Sequence, residues 1–186
     1  MTSLPALSLA ILLSTVLVFV ASSIIHMASP WHKNDFPRLT NQDQVMDALR
    51  PLAIPPGDYL MPRPTSREEM RSPQFAESMK RGPVVMMTVM PSGTMSMGRN
   101  LAQWFVYCLV VSLLSAYVAS RALAPGARFA DIFRFSATTA LLAYSVALWQ
   151  LSIWYRRAWS LTLKATVDGI VYAAITGAVI GWLWPK

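Results

Sequence analysis

Six methionines, Met79, Met86, Met87, Met90, Met95 and Met97, crowd one short stretch of this chain. Thioether sulfur is a soft donor that suits Cu(I). Met95-Ser96-Met97 would also present two sulfurs on the same side of an extended strand, because alternate residues share a face. Met86, Met90, Met95 and Met97 are therefore candidate copper ligands. The plainer alternative is that flexible methionines form an adaptable apolar contact surface. His26 and His32 lie far from this set in the chain, and no cysteine joins it.

Asp168 is the second candidate, as a polar or ion-binding site. It stands at the head of an apolar run that starts at Val167, and that spacing predicts a place in the first turn of a helix. There the helix dipole and Lys164, Arg156 or Arg157 would stabilise a carboxylate. A satisfied helix end is the ordinary outcome of such an arrangement. Since no ionisable residue falls near the middle of any apolar run, proton-coupled transport lacks its usual carboxylate.

Other patterns carry less. Gly93 to Gly98 has the glycine spacing of a phosphate-binding loop, but Arg99-Asn100 stands where Lys then Ser or Thr is needed. Asp43 and Asp47 are one helical turn apart and read as solvated helix charges. Cys108, the lone cysteine, excludes an intrachain disulfide and reads as a small packing residue. With two histidines and no HExxH, CxxC or nucleophile-elbow pattern, no catalytic residue and no cofactor is expected.

The elements that must position these residues are four apolar runs: Leu4 to Ile25, Leu101 to Leu123, Phe135 to Tyr155 and Val167 to Trp184. Each is near the ~20 residues that cross a ~30 Å hydrocarbon core as a helix. Hydrophobic residues make up 54% of the chain and charged residues 13%, about half the charged share of an ordinary soluble domain. The expected fold is an all-α membrane protein, a four-transmembrane-helix bundle with one small Pro- and Met-rich extramembrane segment. Residues 1–25 form the first helix, 26–99 the extramembrane segment, and 100–186 a three-helix membrane region. The first run is longer than a signal-peptide core, has no basic flank and is followed by no convincing cleavage site, so it reads as a retained anchor.

The net charge of +7 does not imply nucleic acid. Residues 26–99 contribute +2 and residues 100–186 contribute +5, and the latter basic residues flank apolar runs where headgroups and topology account for them. Counting basic residues near run ends favours a cytoplasmic long loop, although that loop exceeds the length over which the rule is dependable. Tryptophans 31, 104, 149, 154, 159, 182 and 184 gather near the run ends, as amphipathic indoles do at a membrane interface.

Ten of the thirteen prolines lie between His26 and Arg99, so no long helix runs through that segment. Thr40 predicts a capped helix to Leu49. Ser72 and Pro73 begin another that stops at Gly82. Leu52 to Pro64 should be extended, with a turn at Pro56-Gly57-Asp58, and Val84 to Met90 reads as a strand. A core built from these pieces would be thin, so the segment should lean on the membrane, the helices or a partner.

In the last run Gly169, Ala173, Gly177 and Gly181 recur every fourth residue. Such a small-residue row marks a helix-packing seam, because close backbone approach supplies the attraction that lipid does not. The partner face could lie in this chain or in a second copy. Ser112-Ala116-Ser120 and Ser136-Ala140 are weaker rows that could oppose it.

The segments Trp31-His32-Lys33-Asn34-Asp35, Pro56-Gly57-Asp58-Tyr59 and Met97-Gly98-Arg99 resemble those of small bacterial membrane proteins to which no activity is attached. The resemblance implies a multi-pass protein of the bacterial inner membrane. The expected role is a non-catalytic accessory, scaffold or assembly component of a membrane complex. Its partners would be the lipid bilayer and another membrane protein or a second copy. The alternative is transport or handling of a small solute or copper by an oligomer.

Overall fold

A computed structural model describes residues 2–93 and 96–186. The chain is mostly helical, in the order α1 (Ser8–Ser23), α2 (Gln42–Leu49), β1 (Gly57–Met61), α3 (Arg67–Met70), α4 (Pro73–Arg81), β2 (Val85–Val89), α5 (Met97–Ala122), α6 (Phe129–Tyr144), α7 (Trp149–Tyr155) and α8 (Trp159–Trp182). It divides into two units, one of Met1–Phe36 with Ser96–Lys186 and one of Pro37–Met95. Residues 26–36 thus belong with the long helices.

Four helical stretches of the first unit are long and apolar enough to cross a membrane: Leu4–Ala28, Met97–Ala122, Phe129–Tyr155 and Trp159–Trp182. Three of them start well before the apolar run does, because hydropathy marks where side chains turn apolar and not where backbone bonding begins. Ser96 Oγ accepts from the amide of Arg99 and caps α5. Asp131, in the first turn of α6, pairs with Arg128 and Arg134. The start of α8 at Trp159 has a specific consequence: Asp168 lies in the third turn, not the first, so its stabilisation must come from side chains.

The third stretch is not one helix. At Ser145 the backbone leaves the helical region (φ −129°, ψ −55°), and a 3-10 turn at Val146–Leu148 leads into α7. The Ser145 side chain is seated over Gly169 of α8, where a Cβ would overlap its Oγ and stand 3.1 Å from its Cβ. Tyr107 Oη donates to the Ala143 carbonyl at 2.7 Å beside this break.

The small-residue row of α8 packs on α6. A Cβ at Gly177 would lie 2.8 Å from Ala137 Cβ, and one at Gly181 would lie 2.8 Å from the Phe129 ring. Ala173 is buried with Ala140, Cys108 and Tyr144. α1 packs against both α5 and α8. At one end of these helices Thr2 N donates to Ser120 O, Trp184 Nε1 to Ala124 O and Gly126 N to Pro185 O. At the other, Trp104 Nε1 donates to Ser22 Oγ at 2.7 Å.

Burial in this unit mixes hydroxyl residues into an apolar core that includes Leu7, Val18, Ile132 and Ile180, and it leaves many large aliphatic residues outside. The fully enclosed residues include Ser14, Thr15, Ser112, Ser115, Ser136 and Thr176, while Leu9, Leu12, Val106, Leu114, Ile170 and Trp182 face outward. Water-soluble domains do the reverse with their large aliphatic residues.

In the second unit β1 and β2 pair antiparallel, from Gly57 opposite Val89 to Met61 opposite Val85, and α3 and α4 lie between them in the chain. α4 follows its sequence signals: Ser72 Oγ accepts from Phe75 N at 3.1 Å, and Gly82 takes φ +61° at the stop. Two expectations fail. Gly57 and Asp58 open β1 and do not turn, since Thr88 Oγ1 on β2 holds Asp58 at 2.6 Å. α2 is entered from Asn41 with no side-chain cap, so Thr40 does not serve as one. Among its described residues this unit has none that is buried.

Candidate functional site

The polar residues that the first unit gathers come from three places. α1 continues through a π-helical turn, Ile24–Ala28, which carries His26. Pro30 then prevents helix continuation, and the chain folds back in tight turns, with Lys33 N bonded to Pro30 O and Asp35 N to His32 O, each at 3.1 Å. Those turns aim Trp31, His32 and Asp35 at one face of α8. Lys164 and Asp168 share that face because they are four residues apart.

His32 stands between two carboxylates. Its Nδ1 is 2.6 Å from Asp35 Oδ2 and its Nε2 is 2.9 Å from Asp168 Oδ2. Trp31 Nε1 donates to the other Asp168 oxygen at 3.1 Å. Lys164 Nζ donates to Asp35 Oδ1 at 2.6 Å and to the Trp31 carbonyl at 2.7 Å, and it stands 5.5 Å from the Trp31 ring centroid. Asp168 is 5% exposed, which makes these partners necessary, since a carboxylate taken out of water must be paired and hydrogen-bonded. The Lys164 ammonium, and after it His32, hold the Asp35 carboxyl below the ordinary aspartate range.

His26 stacks on His32, with ring centroids 4.3 Å apart and planes within 9°. Its Nδ1 lies 3.0 Å from the Ser22 carbonyl oxygen. A carbonyl only accepts, so Nδ1 is the donor of this contact and Nε2 is the nitrogen left for another partner. His26, His32 and Asp168 each offer one donor atom, and all three atoms lie within 4.8 Å of one another. A cleft of about 560 Å3, lined by His26, Trp104, Tyr107, Tyr144, Asp168 and Tyr172, opens beside them.

The structure thus joins Asp168 to residues that the sequence alone leaves apart. Lys164 was expected beside Asp168, but it pairs with Asp35, and Arg156 and Arg157 form no ion pair among the described residues. His26, His32, Asp35 and Trp31 carry no spacing that signals a site, and they lie over 130 positions from Asp168. Of the methionines, Met86 lies on β2 and Met90 just after it, both in the second unit and exposed, while Met97 opens α5 in the first. Met95 lies outside the described residues. Asp43 and Asp47 are exposed on α2, with Asp47 paired to Arg50, and Cys108 is buried.

Comparison of the chain with protein-family models, with curated proteins and with solved structures returns no match.

Proposed function

We propose that this chain is an integral membrane protein, a four-helix bundle of the bacterial inner membrane, and that it serves as a non-catalytic accessory or assembly component of a membrane complex. The outward Leu, Val and Ile side chains and inward hydroxyls of the long helices support insertion, because lipid rather than water is the solvent that such a surface fits.

The accessory role rests on one observation. The unit Pro37–Met95 has three helices and a strand pair, yet no described residue of it is buried. Leu39, Leu52, Met70, Val84 and Met90 are each at least half exposed. A segment of this size without a core does not hold itself together by burial. Its apolar side chains call for cover from another membrane protein or a second copy.

Purification of the full chain from its native membrane in mild detergent, followed by mass spectrometry and mass determination of the particle, tests this. Recovery of a stoichiometric partner or a defined homo-oligomer is expected. Recovery of the chain alone as a monomer would overturn the accessory role.

A further inference from the structure

We propose that His26, His32 and Asp168 form a binding site for a divalent transition-metal ion, with zinc the best match to the donors. Two imidazole nitrogens and one carboxylate oxygen are the ligand set of many zinc sites that leave a fourth position to water. This site is independent of the accessory role and uses none of the methionines.

Three features go beyond the presence of three ligands. First, each ligand is oriented through the atom it would not use. His26 Nδ1 is held by the Ser22 carbonyl, His32 Nδ1 by Asp35, and Asp168 Oδ1 by the Trp31 indole. The Asp35–His32 pair is the carboxylate–histidine arrangement that fixes the ring and strengthens its other nitrogen as a donor to metal. Lys164 in turn anchors Asp35. Second, the donors differ in exposure in the way a loading site requires. Asp168 is buried, His32 is partly covered, and His26 is exposed at the edge of the cleft. Third, the ligand atoms are already close: His32 Nε2 and Asp168 Oδ2 are 2.9 Å apart. Ligands of a tetrahedral ion at ~2.0 Å stand about 3.3 Å from one another, so the pair would open by a few tenths of an ångström.

Two changes accompany binding. A proton bridges His32 Nε2 and Asp168 when the two are hydrogen-bonded, and the ion replaces it, so that one proton passes to water for this ligand. The parallel imidazoles must also come out of their stack, because each lone pair lies in its own ring plane and one ion cannot lie in two parallel planes. His26 is the ring that tilts, since it is exposed and, among the described residues, its one hydrogen bond is to its own helix.

The test uses the full chain, purified in detergent without a histidine tag and stripped with chelator. Zinc chloride is titrated by calorimetry, and cobalt chloride is followed by its visible absorption. The expected result is one equivalent of each metal per chain, with cobalt bands of four- or five-coordinate intensity. His26→Ala and Asp168→Asn should each weaken zinc binding at least ~10-fold. His26→Ala is the safer variant, because it removes an exposed side chain and leaves the Asp35–His32–Asp168 contacts in place. Its circular dichroism and elution volume should match the parent. No binding by the parent chain, or binding that neither variant weakens, would overturn the proposal.

Discussion

Asp35 and Lys164 touch no donor atom that an ion would use, yet they decide how firmly His32 is held. Asp35→Ala removes the acceptor at Nδ1, so the ring loses both its orientation and part of its basicity. Zinc affinity should fall ~10- to 100-fold with the stoichiometry unchanged, read by the same calorimetric titration. An unchanged affinity would reduce Asp35 to an anchor for the 29–36 turn. A separate residue-scale prediction concerns Trp104, whose indole donates to Ser22 Oγ at 2.7 Å. Ser22 in turn donates to the Phe19 carbonyl, so the serine hydroxyl both accepts and donates. Trp104→Phe should cost about 1 kcal/mol in the thermal stability of the detergent-solubilised chain, one net hydrogen bond plus some packing.

At the scale of elements, α8 is the organising helix, and its two functions use different stretches. Its early turns carry Lys164 and Asp168, and its later turns carry the glycines that let α6 approach. Gly177→Leu would drive four heavy atoms into Ala137 and Phe133, whose atoms already lie 2.8 Å and 3.0 Å from a notional Cβ. Loss of about 1–3 kcal/mol or failure to assemble is expected, measured as a lower melting temperature and aggregation on gel filtration. A conservative Gly177→Ala should fall between the two.

This seam was legible in the sequence, because Gly169, Ala173, Gly177 and Gly181 repeat with the period of one helix face, and so was α4, whose Ser72, Pro73 and Gly82 are local signals. The break at Ser145 was not, since nothing in the run from Phe135 to Tyr155 is a helix breaker and the break coincides with a tertiary contact on Gly169. The polar site was hidden for the same reason. His32 meets Asp168 only because the turn after Pro30 lays it against α8, and sequence spacing cannot carry that information. Asp168 alone was visible as a candidate, and its expected partners were wrong because the helix begins eight residues earlier than its apolar run.

The molecule as a whole combines a unit of long helices with one that has no buried residue among those described, and the division falls at Pro37 and Met95. With four spans in a bilayer, a reporter fused after Gly82 should face the compartment opposite to one fused at Lys186. Paired alkaline phosphatase and fluorescent-protein fusions read this directly, and activity of both reporters on one side would remove a span from the proposed arrangement. The count of four long apolar stretches came from hydropathy alone. The near-absence of burial in Pro37–Met95 was foreshadowed by its prolines, which keep every element in that unit short.

The inward hydroxyls and outward hydrocarbon of the first unit have a thermodynamic consequence. Unfolding a water-soluble domain exposes apolar surface to water, which raises the heat capacity and bends the stability curve into a dome. If the long helices of this chain separate within lipid, their outward Leu, Val and Ile side chains keep the neighbours they had, and the buried ones, such as Leu7, Val18, Ile132 and Ile180, exchange protein for lipid without meeting water. The group whose surroundings change most in polarity is the Ser and Thr lining, including Ser14, Ser112, Ser115, Ser136 and Thr176. That exchange involves little hydrated hydrocarbon, so the heat-capacity increment per residue should be well below the ~12–15 cal/mol/K of soluble domains. The stability of the helical unit in bilayers would then vary almost linearly with temperature, without a cold limb.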